Sequence, residues 1–308
     1  MLGPVLLAAS RSRNVRRLVS SAPVTRPVVD RFVPGERLDE AVATADALTA
    51  RGLAVTFDHL GEDVTDPAEA LRARDAYLAL AARLKEAGHG PAVEMSVKLS
   101  AFGQGLPGGH DLAYGHALAV AEAAEDAGTT VTLDAEDHTT TDSTLAVLAA
   151  LRERFPRTGA VVQSYLHRTE DDCRALAATG ARVRLVKGAY REPPSVAHQR
   201  RHDVDLSYVR CLRVLMEGGA YAMAGTHDPR LVAVAAAVAK RAGLPQDGYE
   251  FQMLYGIRPD EQARLAAEGH RVRVYVPYGT DWYGYFMRRL AERPANLGFF
   301  LRSLASRG

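Results

Sequence analysis

The sequence has little net charge, few cysteines and no long apolar run. Its 308 residues carry a formal net charge of +1, and no basic stripe is interleaved with aromatic side chains, which argues against nucleic-acid binding. The two cysteines, Cys173 and Cys211, have no neighbouring ligand pattern, which excludes a disulfide framework and a zinc cluster and fits core or surface thiols in a reducing cytoplasm. No segment approaches the roughly 20 apolar residues that span a bilayer.

The N-terminus is apolar over residues 1–9 and then basic, with four arginines over residues 10–17 and no acidic residue before Asp30. This pattern superficially suggests a transit peptide, and an interfacial helix on anionic lipid is a second reading. The charges follow the apolar part, which fits a secretory signal poorly. We interpret residues 1–50 as an N-terminal helical segment that packs on the domain.

A unit of one helix followed by one short strand repeats along the rest of the chain. Hydrophobic residues make up 47% of the sequence, which is ample for a large core. The predicted strands cover residues 53–57, 94–99, 131–134, 160–165, 182–186, 220–225, 250–254 and 271–276. There is no Ser/Pro-rich linker and no shift in composition. The sequence therefore predicts a TIM-like (β/α)₈ barrel over residues 53–308, within a single domain of residues 1–308.

Polar side chains with useful chemistry lie at the end of every predicted strand. In strand order they are Asp58 with His59, Lys98, Asp134 with Glu136, Gln163 with Tyr165, Arg184 with Lys187, Thr226 with His227, Gln252, and Tyr275. Functional residues of such barrels collect at the carboxyl ends of the strands, so we expect these side chains to share one site. The histidines lack a third ligand at metal spacing, and we expect no metal.

Several roles are open for the charged residues among them. Lys98 could be a Schiff-base nucleophile, an anion contact, or a structural partner of Asp134 or Glu136. Asp134 could form hydrogen bonds, balance Lys98, or act as a base if burial raised its pKa. Residues 103–108 match a dinucleotide-binding glycine fingerprint, but Pro107 and residues 108–110 hold the next helix away, so we reject that interpretation.

Residues 271–294 read as a strand, a turn and a helix. Asp281 can cap a helix that begins at Trp282, and Pro294 ends it. Side chains at three- and four-residue spacing share one face of this helix: Tyr285, Arg288, Arg289 and Glu292. Two guanidinium groups beside aromatic rings suit bidentate capture of a carboxylate. The alternative is a solvated basic face with an ion pair to Glu292.

Taken together, these motifs resemble those of proline dehydrogenase, in particular its short bacterial monofunctional form, and are similar to the catalytic barrel of bifunctional proline-utilisation flavoproteins. The resemblance covers residues 31–300. It is carried by residues 96–100 (SVKLS), 184–190 (RLVKGAY) and 275–279 (YVPYG), followed by Tyr285, Arg288, Arg289, Glu292 and Arg293.

The resemblance implies a barrel that is distorted at the eighth helix, with extra N-terminal helices and with FAD bound noncovalently at the carboxyl ends of the strands. It implies oxidation of L-proline to Δ1-pyrroline-5-carboxylate and transfer of the electrons to a quinone. Such a protein is expected in the cytoplasm, with transient peripheral contact at the inner face of the membrane.

The resemblance also assigns residues. Substrate binding is expected from Lys98, Tyr275, Tyr285, Arg288 and Arg289. Catalytic roles are expected from Asp134, Arg184 and Tyr275. Flavin contacts are expected from Ala135, Gln163, Arg184, Lys187, Gly188, Ala189, Thr226 and His227. Two alternatives stay open, namely a Schiff-base lyase that uses Lys98 or Lys187, and a barrel that binds carboxylates without turnover.

Overall fold

The computed structural model describes residues 29–292, and eight parallel strands form a closed barrel in it. The strands are β1 Ala54–His59, β2 Val93–Val97, β3 Val131–Leu133, β4 Gly159–Gln163, β5 Arg182–Val186, β6 Tyr221–Gly225, β7 Tyr249–Leu254 and β8 Val272–Tyr278. Each pairs in parallel with its neighbours in sequence, and β8 pairs with β1 over six residues, from Ala54 opposite Arg273 to His59 opposite Tyr278. The predicted (β/α)₈ barrel is confirmed.

Helices alternate with these strands. They are α1 Leu38–Thr49, α2 Pro67–Ala87, α3 Gly109–Asp126, α4 Thr141–Arg154, α5 Thr169–Ala178, α6 Arg201–Glu217, α7 Pro229–Arg241, α8 Pro259–Ala267 and α9 Trp282–Glu292. The interpretation of residues 1–28 and the helix end at Pro294 lie outside the described residues. Apolar spacing in the sequence predicts that α6 starts at about Leu206, but the helix begins five residues earlier, at Arg201, because its polar first turn has no apolar periodicity.

Local sequence signals explain the bounds of the helices. Asp66 caps α2 by accepting a hydrogen bond from the Ala68 backbone N–H (2.8 Å), and Gly88 ends the same helix with a φ of 68°. Asp228 caps α7 in the same way, with Pro229 at its first position. The helices pack apolar faces on the strands. Because all eight strands are parallel, their carboxyl ends lie at one rim of the barrel.

Charged side chains, rather than apolar ones, fill the amino-terminal half of the barrel interior. We call Glu94, Arg182, Glu250 and Arg273 the closed-end cluster. Arg182 Nη2 donates to Glu94 Oε2 (2.7 Å), and Arg273 Nε donates to Glu250 Oε1 (2.8 Å). Burial would raise the pKa of Glu94, but the positive charges of Arg273, Arg182 and Arg184 outweigh it and lower that pKa to about 2. Glu94 is therefore ionised and paired with these arginines.

The loop before α3 explains why the glycine fingerprint does not form a nucleotide site. A Cβ placed on Gly109, the first residue of α3, would overlap the carbonyl oxygens of Gly103 and Gln104. The start of the helix is thus covered by its own loop, and phosphate has no access to it. Cys173 and Cys211 are both buried and free. Within residues 29–292, no helix is both long enough and apolar enough to cross a membrane.

Candidate active site

A cavity of about 600 Å³, here called the strand-end cavity, opens at the carboxyl ends of the strands. Its size is within the range of small-molecule and cofactor sites. It is lined by every residue to which the resemblance assigned substrate binding, catalysis or flavin contact: Lys98, Asp134, Ala135, Gln163, Arg184, Lys187, Gly188, Ala189, Thr226, His227, Tyr275, Tyr285, Arg288 and Arg289. The fold thus brings these side chains together, as expected for strand ends of a barrel. Three strand-end residues that were expected at the same site do not line the cavity, namely His59, Glu136 and Tyr165.

Lys98 follows β2 and lies among carboxylates. Its Nζ is 2.7 Å from Asp58 Oδ1, 2.8 Å from Asp58 Oδ2 and 3.5 Å from Asp134 Oδ2. Burial opposes the positive charge, but Asp58 and then Asp134 outweigh it and raise the pKa of Lys98 above its usual value. A protonated amine can bind an anion and cannot attack a carbonyl, which argues against the Schiff-base alternative at this residue.

The expected structural partners of Lys98 are only partly right. Asp58, at the end of β1, is its main partner, and Asp134 is the second. Glu136 instead accepts hydrogen bonds from the backbone and side chain of Ser100. The sequence showed that these groups end strands, but it could not show which carboxylate lies nearest the amine.

Asp134 connects three neighbours. Its Oδ1 accepts from Arg184 Nη1 (2.8 Å) and from Ser96 Oγ (2.7 Å), and its Oδ2 accepts from the Tyr275 hydroxyl (2.7 Å). Burial and the charge of Asp134 raise the pKa of Tyr275 well above its usual value, so the phenol is neutral and acts as a donor. The carboxylate therefore fixes both the aromatic ring and the guanidinium group.

Arg184 lies in the middle of β5 and is almost fully buried. Its Nε donates to Gln252, its Nη1 donates to Asp134 and Ser96, and its Cζ is 5.2 Å from the centroid of the Tyr275 ring. Its Nη2 is buried and has no hydrogen-bond partner in the part of the chain that the structure describes. This nitrogen lies 3.5 Å from Glu94 Oε1, so it is directed to the carboxylate of the closed-end cluster.

Helix α9 presents its arginines to the cavity and not to solvent. Arg289 is 9% exposed, and its Cζ is 5.0 Å from the centroid of the Tyr285 ring. On the other side of the helix, Phe286 packs fully buried against Phe32 and Trp282. The alternative of a solvated basic face is therefore wrong. The suggested ion pair to Glu292 lies outside the described side chains.

Arg288 has a partner that the sequence did not predict. Its Nη1 is 2.6 Å from Glu62 Oε1 and its Nη2 is 3.2 Å from Glu62 Oε2, so one carboxylate takes both terminal nitrogens. Burial opposes ionisation of Glu62, but the charge of Arg288 outweighs it and lowers the pKa of Glu62. Glu62 lies in the loop after β1, where no periodic pattern marks it.

The part of the cavity after β5 and β6 contains a paired lysine and a tight turn. Lys187 Nζ lies 2.6 Å from Asp205 Oδ1 and 3.4 Å from Asp228 Oδ2. Gly188 has a φ of 113°, and a Cβ there would overlap the ring of Tyr165, so only glycine fits. His227 Nε2 accepts from the Leu254 backbone N–H (2.9 Å), which fixes its tautomer.

Other cavity residues received no role from the sequence. They are Asp58, Tyr190, Arg201, Asp228 and Gln252 among others. Asp58 and Gln252 end predicted strands, and that position was their only signal. Tyr190 and Arg201 lie after β5, where no hydrophobic periodicity predicts the direction of a side chain. Residues 29–292 contain no group of three or more His, Cys, Asp and Glu side chains that could hold a metal ion.

Comparisons with known proteins agree on one family. The family model described as proline dehydrogenase matches residues 41–302. Proline dehydrogenase 1 of Bacillus subtilis is 37% identical over 304 residues, which cover 99% of this chain and 99% of that protein. Proline dehydrogenase of Deinococcus radiodurans is 41% identical over 282 residues and 90% of each chain.

A solved structure has the same fold. The crystal structure of proline utilization A (PutA) from Bdellovibrio bacteriovorus, inactivated by N-propargylglycine, superposes with a TM-score of 0.80 at 25% sequence identity. The match covers 86% of this chain and 32% of that one, so this chain spans about a third of the longer protein.

Proposed function

The chain belongs to the proline dehydrogenase family, and from that premise we propose that FAD is the cofactor of the strand-end cavity and that a quinone receives the electrons. The protein is an oxidoreductase that oxidises proline to Δ1-pyrroline-5-carboxylate. The observation that carries the proposal is the strand-end cavity, because it gathers three cationic side chains for a carboxylate, Lys98, Arg288 and Arg289, beside a turn at Gly188 where only glycine fits.

We assign substrate binding to one end of the cavity. Arg288 and Arg289 would hold the proline carboxylate with Lys98, because the guanidinium fork of Arg289 matches two carboxylate oxygens and Lys98 is held as a cation. Each terminal nitrogen of Arg288 keeps one N–H beyond its bond to Glu62, and these hydrogens would be its contribution. Tyr275 and Tyr285 would flank the substrate ring. Fixing the carboxylate holds the opposite side of the ring in one place, which is the orientation that a hydride transfer needs.

The reaction removes two electrons and two hydrogens from proline. The N–H hydrogen leaves as a proton to solvent, and the hydrogen of the ring carbon next to nitrogen, on the side away from the carboxylate, leaves as a hydride as the C=N bond forms. FAD, when bound, supplies the acceptor for the hydride. Asp134 keeps Tyr275 and Arg184 in place through the reaction, since its two oxygens already accept from both.

The residues around the cavity fit a flavin. Gly188 lines the cavity with a φ of 113°, at a turn where no side chain would fit. The cations Lys187 and Arg201 suit phosphate groups. We assign FAD binding to Ala135, Gln163, Arg184, Lys187, Gly188, Ala189, Thr226 and His227.

An anaerobic titration tests the function. Purified protein is expected to show a flavin spectrum that L-proline bleaches. A protein that neither binds FAD nor oxidises proline would contradict the proposal. Reduction of a dye that depends on proline separates the enzyme from a barrel that only binds carboxylates. Borohydride with a carbonyl substrate would trap a covalent adduct only if the lyase alternative holds.

The electron acceptor and location are tested separately. We propose a cytoplasmic protein, folded as one domain over residues 1–308, that meets the inner face of the membrane transiently to reduce a quinone. The reduced enzyme is expected to be reoxidised by a short-chain quinone analogue and not by NAD⁺. Sedimentation with anionic lipid vesicles should increase when they contain quinone. Rapid reoxidation by NAD⁺ would contradict the assignment of the acceptor.

A further inference from the structure

Ser100 and Glu136 form a buried pair behind the strand-end cavity. The Ser100 backbone N–H donates to Glu136 Oε1 (3.0 Å), and the Ser100 hydroxyl donates to Glu136 Oε2. Ser100 is 8% exposed and Glu136 is 7% exposed. The Glu136 backbone oxygen also accepts from the Gln163 side chain (2.7 Å). The pair is therefore fixed in place between the ends of β3 and β4.

Ser100 also forms hydrogen bonds with the loop after β1. The Asp63 backbone N–H donates to Ser100 Oγ (3.0 Å), and the Val64 backbone N–H donates to Ser100 O (3.3 Å). Asp63 has a φ of 54°, a left-handed conformation that a residue with a side chain keeps only when its surroundings hold it. Two hydrogen bonds that Ser100 accepts supply that hold.

The direction of these hydrogen bonds requires an acceptor at Glu136. Because Ser100 Oγ accepts from Asp63, its own hydrogen is free to point to Glu136. A protonated Glu136 would donate to Ser100 in turn and leave the hydroxyl hydrogen without this acceptor. The complete chain of hydrogen bonds therefore exists only while Glu136 is ionised.

Glu62 precedes Asp63, and its carboxylate takes both terminal nitrogens of Arg288. We propose that Ser100 and Glu136 are positioning residues, which hold the loop of residues 62–64 so that Glu62 aims Arg288 at the substrate carboxylate. Neither residue lines the strand-end cavity. Their effect is expected in substrate affinity and not in the chemical step, a consequence that rests on the proposed function.

Steady-state kinetics test the proposal. Ser100→Ala and Glu136→Gln are each expected to raise the KM for L-proline about three- to tenfold, the effect of one lost hydrogen bond, with kcat changed less than twofold. Ser207→Ala removes a comparably buried hydroxyl on α6 and is the matched control, with no change in KM. In a Glu62→Gln background, Ser100→Ala should add little, because its route to Arg288 is already lost. An equal effect in both backgrounds would overturn the proposal.

Amide hydrogen exchange tests the same contact without turnover. A peptide that includes residues 61–64 is expected to exchange faster in Ser100→Ala than in the native protein, whereas peptides from β4 and α6 should be unchanged. Unchanged exchange at residues 61–64 would show that Ser100 does not hold the loop. If the native protein does not oxidise proline, the proposed function fails. Hydrogen exchange at residues 61–64 still shows whether Ser100 holds the loop.

The pH dependence provides a third test. Burial raises the pKa of Glu136 to about 7, although the Ser100 hydrogen bonds and Lys98 act in the opposite direction. The titratable groups facing it are Lys98, Glu62 and the Tyr190 hydroxyl. Since the accepting form is lost as the pH falls through that value, the KM should rise below neutrality. Glu136→Gln should remove this rise, and an identical pH profile would count against the proposal.

Discussion

The two ends of the barrel interior both hold buried charges, but they differ in access. In the closed-end cluster, Glu94, Arg182, Glu250 and Arg273 pair with one another. At the other end, the charged groups surround a cavity that a ligand can enter. Perturbed pKa values occur at both ends, in Glu94 and in Lys98. A shifted pKa therefore identifies a buried charge in this barrel but not its role. Access to the cavity is what distinguishes a candidate functional group from a structural one.

Arg184 joins the two ends. Its Nη2 is 3.5 Å from Glu94 Oε1, and its Nη1 donates to Asp134. A change at the closed end should therefore alter stability first, and a change at the cavity should alter turnover first. Variants at each end test whether these effects are as separate as the geometry indicates.

The largest effect is expected from Glu94→Gln in the closed-end cluster. Removing the charge leaves Arg182 and Arg273 buried with too few counter-charges, and breaking a buried pair costs about 3–5 kcal/mol of unfolding free energy. Urea unfolding measures it. Glu122→Gln, at an exposed ion pair with Arg154, should cost less than about 1 kcal/mol. Equal losses in the two variants would refute the structural role of the cluster.

The next largest effect is expected at the cavity from Asp134→Asn. The amide cannot accept at both positions, so Tyr275 and Arg184 lose their common acceptor and kcat should fall about 100-fold. Stopped-flow flavin reduction measures the chemical step. The unfolding free energy should change less than in Glu94→Gln. A kcat within twofold of the native value would remove Asp134 from the catalytic group.

A smaller effect is expected from Arg289→Lys. A point ammonium cannot form two parallel hydrogen bonds to a carboxylate, so the KM for proline should rise about tenfold, and kcat should change less. Arg264→Lys on α8, where the arginine is exposed and paired with Glu261, is the control and should leave the KM unchanged. An unchanged KM in Arg289→Lys would exclude Arg289 from substrate binding.

The smallest effect is expected from pH on the closed-end cluster. A carboxyl group whose pKa is lower in the folded state stabilises the fold above its unfolded pKa, and this contribution is lost as the pH falls through the folded value. For Glu94 the window runs from 4.5 down to about 2. Unfolding free energies at pH 6 and pH 3 should therefore differ more for the native protein than for Glu94→Gln. Parallel pH curves would contradict this assignment.

Sequence patterns predicted the barrel because its units are local. Each helix and strand has its own period and its own terminators, and the carboxyl end of each strand follows from them. The cavity residues that end strands were therefore accessible from the sequence, whereas Tyr190 and Arg201 were not. The start of α6 was misplaced because a polar first turn lacks a period.

Partners across the barrel could not be predicted in the same way. Asp58 contacts Lys98, and Glu62 contacts Arg288, only after distant parts of the chain have come together. The loop of Glu62 also depends on the left-handed Asp63, whose residue type does not require that conformation. The sequence did not predict the closed-end cluster, because its charged residues occupy strand positions that are normally apolar.

The pairing of β8 with β1 also has a consequence for biosynthesis. Arg273 Nη1 donates to Val55 O across 218 residues of sequence. During translation, β1 therefore waits with one unpaired edge until nearly the whole chain has left the ribosome, and contacts of such long range form late. The same final segment carries Tyr275, Arg288 and Arg289. A nascent chain thus acquires these three proposed substrate contacts only when β8 is available to close the barrel.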